Sequence, residues 1–119
     1  MPERAIESPT SGDELVVLVG ARDSRGELFR FEYVARTASP PPPDHVHMEQ
    51  EERVEVLEGT IRCRVGGEER VLGPGETVRI PRGVYHAVWS SDPAGSRSVG
   101  EFRPALKMQE IFEAAFAGD

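Results

Sequence analysis

The sequence predicts an all-β domain, a small antiparallel sandwich or barrel, followed by one C-terminal helix. Three observations lead there: short apolar runs recur at close spacing, 12 glycines and 10 prolines break them into turns, and the apolar period becomes helical only after Pro104. At 119 residues the chain can bury one core but not two.

Residues 1–13 are polar and punctuated by Pro2, Pro9 and Gly12, so they are expected to form a flexible N-terminal arm that becomes ordered only by packing on another element or subunit. The barrel is expected over 14–103. Its first strand, 14–20, carries apolar residues at every position from Leu15 to Val19, which implies that both faces are covered, one of them by a second subunit. Residues 28–36 alternate, with Phe29, Phe31, Tyr33 and Ala35 on the inner face. The four prolines at 40–43 cannot donate to a ladder and make a stiff, extended spacer. Residues 53–57 and 60–65 read as a hairpin about Glu58-Gly59, with Ile61, Cys63 and Val65 inward. Strands over 69–72, 77–80, 86–90 and 98–103 follow, separated by Gly73-Pro74-Gly75, Pro81-Arg82-Gly83 and the turn at 92–95. Trp89 has the opposite parity to His86 and is expected to face outward. In 104–119, Met108, Ile111, Phe112, Ala115 and Phe116 recur at helical spacing, so a helix over 107–117 should dock on the barrel through that stripe.

Composition excludes several classes of function. A formal charge of −7 argues against nucleic-acid or anionic-membrane partners, both of which select for basic surface. The longest apolar run, Leu15 to Val19, is far too short to span a bilayer, and the first residues have no signal-peptide h-region, so a cytoplasmic location is expected. The lone Cys63 rules out an internal disulfide and reads as a small core residue.

The candidate site lies in the stretch 44–59. His45 and His47 are two apart, which on an extended strand puts both imidazoles on one face, and Glu52 follows. Glu49, Glu51 and Glu55 compete with Glu52 as the carboxylate. The third histidine, His86, follows the Pro81-Gly83 turn. Imidazoles with a carboxylate suit one divalent transition metal ion: Fe, Mn, Ni, Cu or Zn.

The two segments carry a family resemblance. His45, His47, Glu52 and Gly59 match H-x-H, four residues, E, six residues, G; Gly75, Pro81, Gly83 and His86 match G, five residues, P-x-G, two residues, H. They resemble the two motifs of the cupin superfamily, in the right order. Ser39 and Ser90 stand where that family usually has glycine and asparagine, neither of them a ligand. The resemblance implies a double-stranded β-helix, the jelly-roll-like cupin barrel, and it selects Glu52, with Glu51 as runner-up, beside His45, His47 and His86 as metal ligands. Tyr33, Arg82, Tyr85 and Ser90 are candidates to orient ligands or substrate. Three imidazoles and one carboxylate leave two of six octahedral positions open. The function expected is a metal-dependent enzyme, of dioxygenase or isomerase/lyase type, acting on a small oxygenated organic molecule. The alternative is a non-catalytic barrel that binds or senses a small ligand. A homodimer is expected, because Leu15 to Val19 shows water no polar face.

Overall fold

In the computed structural model, which describes residues 4–117, the apolar runs of the sequence become nine strands and one helix. In chain order they are β1 (Arg4–Glu7), β2 (Glu14–Val19), β3 (Phe29–Ala35), β4 (Glu51–Glu58), β5 (Ile61–Val65), β6 (Glu68–Leu72), β7 (Thr77–Ile80), β8 (His86–Ser90), β9 (Ser96–Arg103) and α1 (Met108–Phe116). The strands form two antiparallel sheets, one of six strands in the order β1-β2-β3-β9-β4-β7 and one of three in the order β6-β5-β8.

Period-two alternation gives the large sheet an apolar inner face, and two different covers lie on it. Over β4 and β7 lies the small sheet, which encloses Val54, Val56, Ile61, Cys63, Leu72, Val78 and Ile80. Over β2 and β3 lies α1, and the cluster there is aromatic: Phe29, Phe31 and Phe102 stack, with Phe112 and Phe116 closing it from the helix. Phe31 can lie across the sheet because its neighbour on β9 is Gly100, where a Cβ would collide with the Phe31 ring.

Within the arm expected over 1–13, residues 4–7 form β1 and pack on β2, with Ile6 opposite Leu15, so the segment satisfies the ladder groups of β2; residues 1–3 lie outside the described residues. Three expectations change. The expected hairpin about Glu58-Gly59 is a corner between sheets, because β4 pairs with β7 and β9 while β5 pairs with β6 and β8. Gly59 takes a φ of 76° there, and a Cβ on it would strike the Gly95 carbonyl. Helix α1 is rotated from its apolar stripe: Ile111 is 56% exposed, while Gln109 turns inward to accept a hydrogen bond from the Ala21 N–H at 2.7 Å. Trp89 is buried, with the Arg64 guanidinium 5.4 Å from its ring centre.

On β2, Leu15 and Val17 are buried, whereas Val16, Leu18 and Val19 are only half-buried in the single chain. No helix among the described residues is long and apolar enough to cross a membrane.

Candidate metal centre

Three segments converge where the two covers meet. Glu52 sits near the start of β4, on the inner face with Val54 and Val56, and is flanked across the ladder by Phe102 of β9 and Ile80 of β7. His86 opens β8. His45 and His47 are not on a full strand, since the prolines before them supply no N–H to a ladder. They are held by a single bridge, His45 N–H to the His86 carbonyl and His86 N–H to the His45 carbonyl, both 2.8 Å, and by the Gly83 N–H donating to the His47 carbonyl at 2.9 Å. Gly83, at a φ of 76°, turns the chain so that this N–H is available.

The result is a cluster. His45, His47, Glu52 and His86 offer ligand atoms that all lie within 4.8 Å of one another. Two donors that share an ion at ~2.1 Å stand at most ~4.2 Å apart, so small side-chain movements bring all four onto one centre. Of the competing carboxylates, Glu51 pairs with Arg79 at 2.7 Å, Glu55 lies 3.8 Å from Arg53, and Glu49 is exposed.

Hydrogen bonding sets the state of each ring. His86 Nδ1 lies 2.9 Å from the Val84 carbonyl and its Nε2 lies 2.9 Å from Glu52 Oε1, so both ring nitrogens face an acceptor. Burial favours the neutral His86 ring, but the bond to Glu52, the Val84 carbonyl and nearby carboxylate charge outweigh it and raise its pKa above the ordinary value. Val84 also fixes the tautomer: with Nδ1 donating there, Nε2 is the nitrogen left to face a ligand. His47 behaves oppositely. Burial lowers its pKa, the Glu52 charge opposes that, and the neighbouring histidines add to the lowering. Its Nε2 stands 3.7 Å from Glu52 Oε1 and is buried with no hydrogen-bond partner.

That orphaned nitrogen tests the fit. A buried ring nitrogen without a partner is costly, and a neutral imidazole lone pair aimed at a carboxylate and two further imidazoles is what a divalent transition metal requires. The cluster could hold such an ion. Cys63 adds nothing to it: buried in the aliphatic core, its thiol is pushed up by burial and is a poor nucleophile.

Next to Glu52 the seam between the two covers leaves a cavity of about 210 Å³. Of the residues expected to orient ligands or substrate, Tyr33 and Ser90 line this cavity, whereas Arg82 and Tyr85 stay exposed on the turn before β8. Sequence reasoning missed Gln50, which is buried two residues from Glu52 and donates through Nε2 to the carbonyls of Pro104 at 2.8 Å and Ala105 at 3.0 Å. It ties the histidine segment to the start of α1. A polar residue beside a ligand carried no signal that it would be buried, because its partners are more than fifty positions away.

Residues 29–95 match the Cupin domain family. No curated protein matches the chain in sequence. Among solved structures, KdgF from Halomonas sp. superposes with a TM-score of 0.71 at 17% identity, covering 92% of this chain and 91% of that one. An RmlC-like cupin from Shewanella frigidimarina NCIMB 400 gives 0.70 at 23% identity, covering 87% and 86%. Pac13, a nucleoside dehydratase from Streptomyces, gives 0.65 at 14% identity, covering 90% and 80%. At these identities the likeness is one of fold.

Proposed function

The chain belongs to the cupin family, and on that premise we propose that it is a metal-dependent enzyme acting on a small oxygenated organic molecule, with His45, His47, Glu52 and His86 holding one divalent ion of Fe, Mn, Ni, Cu or Zn. The observation that carries this reading is His47 Nε2, buried without a partner inside a cluster of three imidazoles and a carboxylate. When bound, such an ion supplies a Lewis acid for adjacent substrate oxygens and open positions for dioxygenase or isomerase/lyase chemistry.

The chain's own groups supply the rest. Val84 holds the His86 tautomer through Nδ1, and Phe102, its ring centre 5.5 Å from that of His47, keeps water from the inner side of that imidazole. Glu52 turns Oε1 to the histidines, 2.9 Å from His86 Nε2, and also lines the cavity, so its carboxylate is within reach to exchange a proton with a molecule lying there. Supporting observations suggest a cytoplasmic homodimer: Cys63 is a free buried thiol, and Val16, Leu18 and Val19 stay half-exposed on β2.

Elemental analysis of protein purified without added metal tests the proposal. About one equivalent of a transition metal is expected in the parent and none in His47→Ala. Metal-free parent protein, or full metal content in the variant, would sink it. The alternative, a non-catalytic sensing barrel, draws on the cavity alone. It gains the advantage if saturating metal changes neither melting temperature nor ligand affinity.

A further inference from the structure

The cavity beside Glu52 has two unlike ends. Around Glu52 its walls are Val54, Val88, Gly100 and the rings of Phe31 and Phe112, which offer no hydrogen bonds. Farther along β9 the walls become hydroxyls. Ser98 stands opposite Tyr33 on the ladder, and Ser96 donates to Ser90 at 2.9 Å. The Ser98 residue is 7% exposed, and its hydroxyl has no hydrogen-bond partner among the described residues. With no protein partner, the Ser98 hydroxyl is free to bond a molecule that enters the cavity.

Charge narrows the choice of occupant. Among the described residues no arginine, lysine or histidine lines the cavity, and the charged side chains that do, Asp13 and Glu52, are both acids. An anionic group would therefore be desolvated without a partner and beside like charge. Asp13 is already engaged: it accepts from Tyr33 Oη through Oδ2 and from the Arg36 N–H through Oδ1, both at 2.9 Å. At the hydroxyl end of β9, the Ser98 hydroxyl and the free lone pairs of Tyr33 Oη are open to a ligand. At about 210 Å³ the space is smaller than drug-sized pockets and suits a short chain or one small ring.

We propose that this cavity seats the uncharged, hydroxyl- or carbonyl-bearing end of a small organic molecule, with Ser98 and Tyr33 as its hydrogen-bond partners and Phe112 of α1 as the wall that sets its size. The assignment rests on reading the neighbouring cluster as a small-molecule centre, because the other end of the molecule then lies against Glu52. It excludes substrates whose far end is a carboxylate or phosphate.

The test uses the full chain, treated with chelator, and four probes on one ring: cyclohexanol, cyclohexanone, cyclohexanecarboxylate and cyclohexylammonium. Binding is followed by amide NMR shifts at Ser98 and Gly100. Cyclohexanol and cyclohexanone should bind at least about tenfold more tightly than either charged probe, and Ser98→Ala and Tyr33→Phe should each weaken cyclohexanol by about five- to tenfold. Phe112→Trp, which fills the space from the helix side, should abolish the shifts. The proposal fails if a charged probe binds as tightly as the alcohol, if the Ser98→Ala/Tyr33→Phe double variant binds cyclohexanol like the parent, or if neither neutral probe shifts these amides. Metal binding measured on portions of the same preparations not treated with chelator separates the two readings. Metal binding lost with cyclohexanol binding kept removes the metal centre alone, and the reverse removes only this assignment.

Discussion

The two halves of the interior bury the same sheet by different means. Under the small sheet, aliphatic side chains from β4, β5, β6 and β7 interlock, and Val56, Cys63 and Leu72 are fully enclosed. Under α1, large rings lean on one another, with Phe31 and Phe112 centred 4.9 Å apart and Phe29 and Phe112 edge to face at 5.9 Å. Branched aliphatics on two pleated faces interdigitate, whereas planar rings against a helix meet in offset and edge-to-face pairs. The metal-ligand candidates and the cavity lie along the line where one kind of packing gives way to the other. A site needs room and fixed donors at once, and this seam provides both, with Phe31 and Phe112 lining the cavity from one half and Val54, Ile61 and Val88 from the other.

The largest expected effects come from breaking one half at a time. Phe29→Ala removes a fully buried ring from the helix-covered half and should cost about 3–5 kcal/mol in urea unfolding; Leu72→Ala should cost about 2–5 kcal/mol in the other half. Hydrogen exchange sharpens the contrast. Phe29→Ala should deprotect amides of α1 and β2 while those of β5 stay slow, and Leu72→Ala should do the reverse. If both variants deprotect the same amides, the halves are one cooperative unit and the comparison has no energetic content.

Next in size is the seam itself. His86→Ala removes one of the four donors and should weaken binding of a divalent transition metal by at least about 100-fold, while the variant still unfolds cooperatively, since both apolar clusters are untouched. Isothermal titration with Co(II) and Zn(II) checks this; equal affinity in parent and variant would remove His86 from the set.

The sequence revealed the halves unequally. The inner face of β3 was legible because Phe29, Phe31, Tyr33 and Ala35 alternate without a break, and Cys63 followed from the parity of β5. The three histidines were legible because histidine is scarce in this chain, whereas Glu52 was singled out from its acidic neighbours only by the resemblance to the cupin motif. Local pattern could not tell the corner at Gly59 from a hairpin, since both demand a residue with positive φ. The stripe through Ile111 was likewise misleading. The face α1 presents is decided by Gln109 bonding to Ala21, a partner 88 positions away. Ser98 and Phe112 line one cavity only because α1 covers one half and the small sheet the other, which no short-range signal encodes.

A smaller effect should appear in the acid titration of the metal-free chain, where the two inner histidines shift in opposite directions. His86 is raised in the folded state, so its contribution to stability is complete below the unfolded value of 6.5 and is lost as pH rises through the folded value. His47 is lowered, so its contribution is complete above 6.5 and is lost as pH falls through its folded value. NMR of the ring protons should therefore show His47 titrating below 6.5 and His86 above it. The reverse order would mean that Glu52 does not pair with His86 in solution.

The smallest effect lies at the hydroxyl end of the cavity, on the aromatic side of the seam. Burial, the charge of Asp13 and the hydrogen bond to it all raise the Tyr33 pKa above its ordinary value of 10.0, because each favours the neutral phenol. The sign follows directly. With a raised folded value, Tyr33 contributes fully below pH 10 and loses that contribution as pH climbs from 10.0 toward the folded value, since only the unfolded chain ionises there. Tyr33→Phe keeps the ring against Phe116, with centres 5.5 Å apart in the parent, and deletes only the bond to Asp13 Oδ2. It should cost about 0.5–1.5 kcal/mol at neutral pH and flatten the part of the alkaline stability loss due to this residue. Parallel unfolding curves at pH 8 and pH 10.5 measure both quantities. If the parent loses no more stability than Tyr33→Phe across that interval, Tyr33 is not held neutral by Asp13, and the aromatic half ends in solvent rather than in a fixed hydrogen-bonding wall.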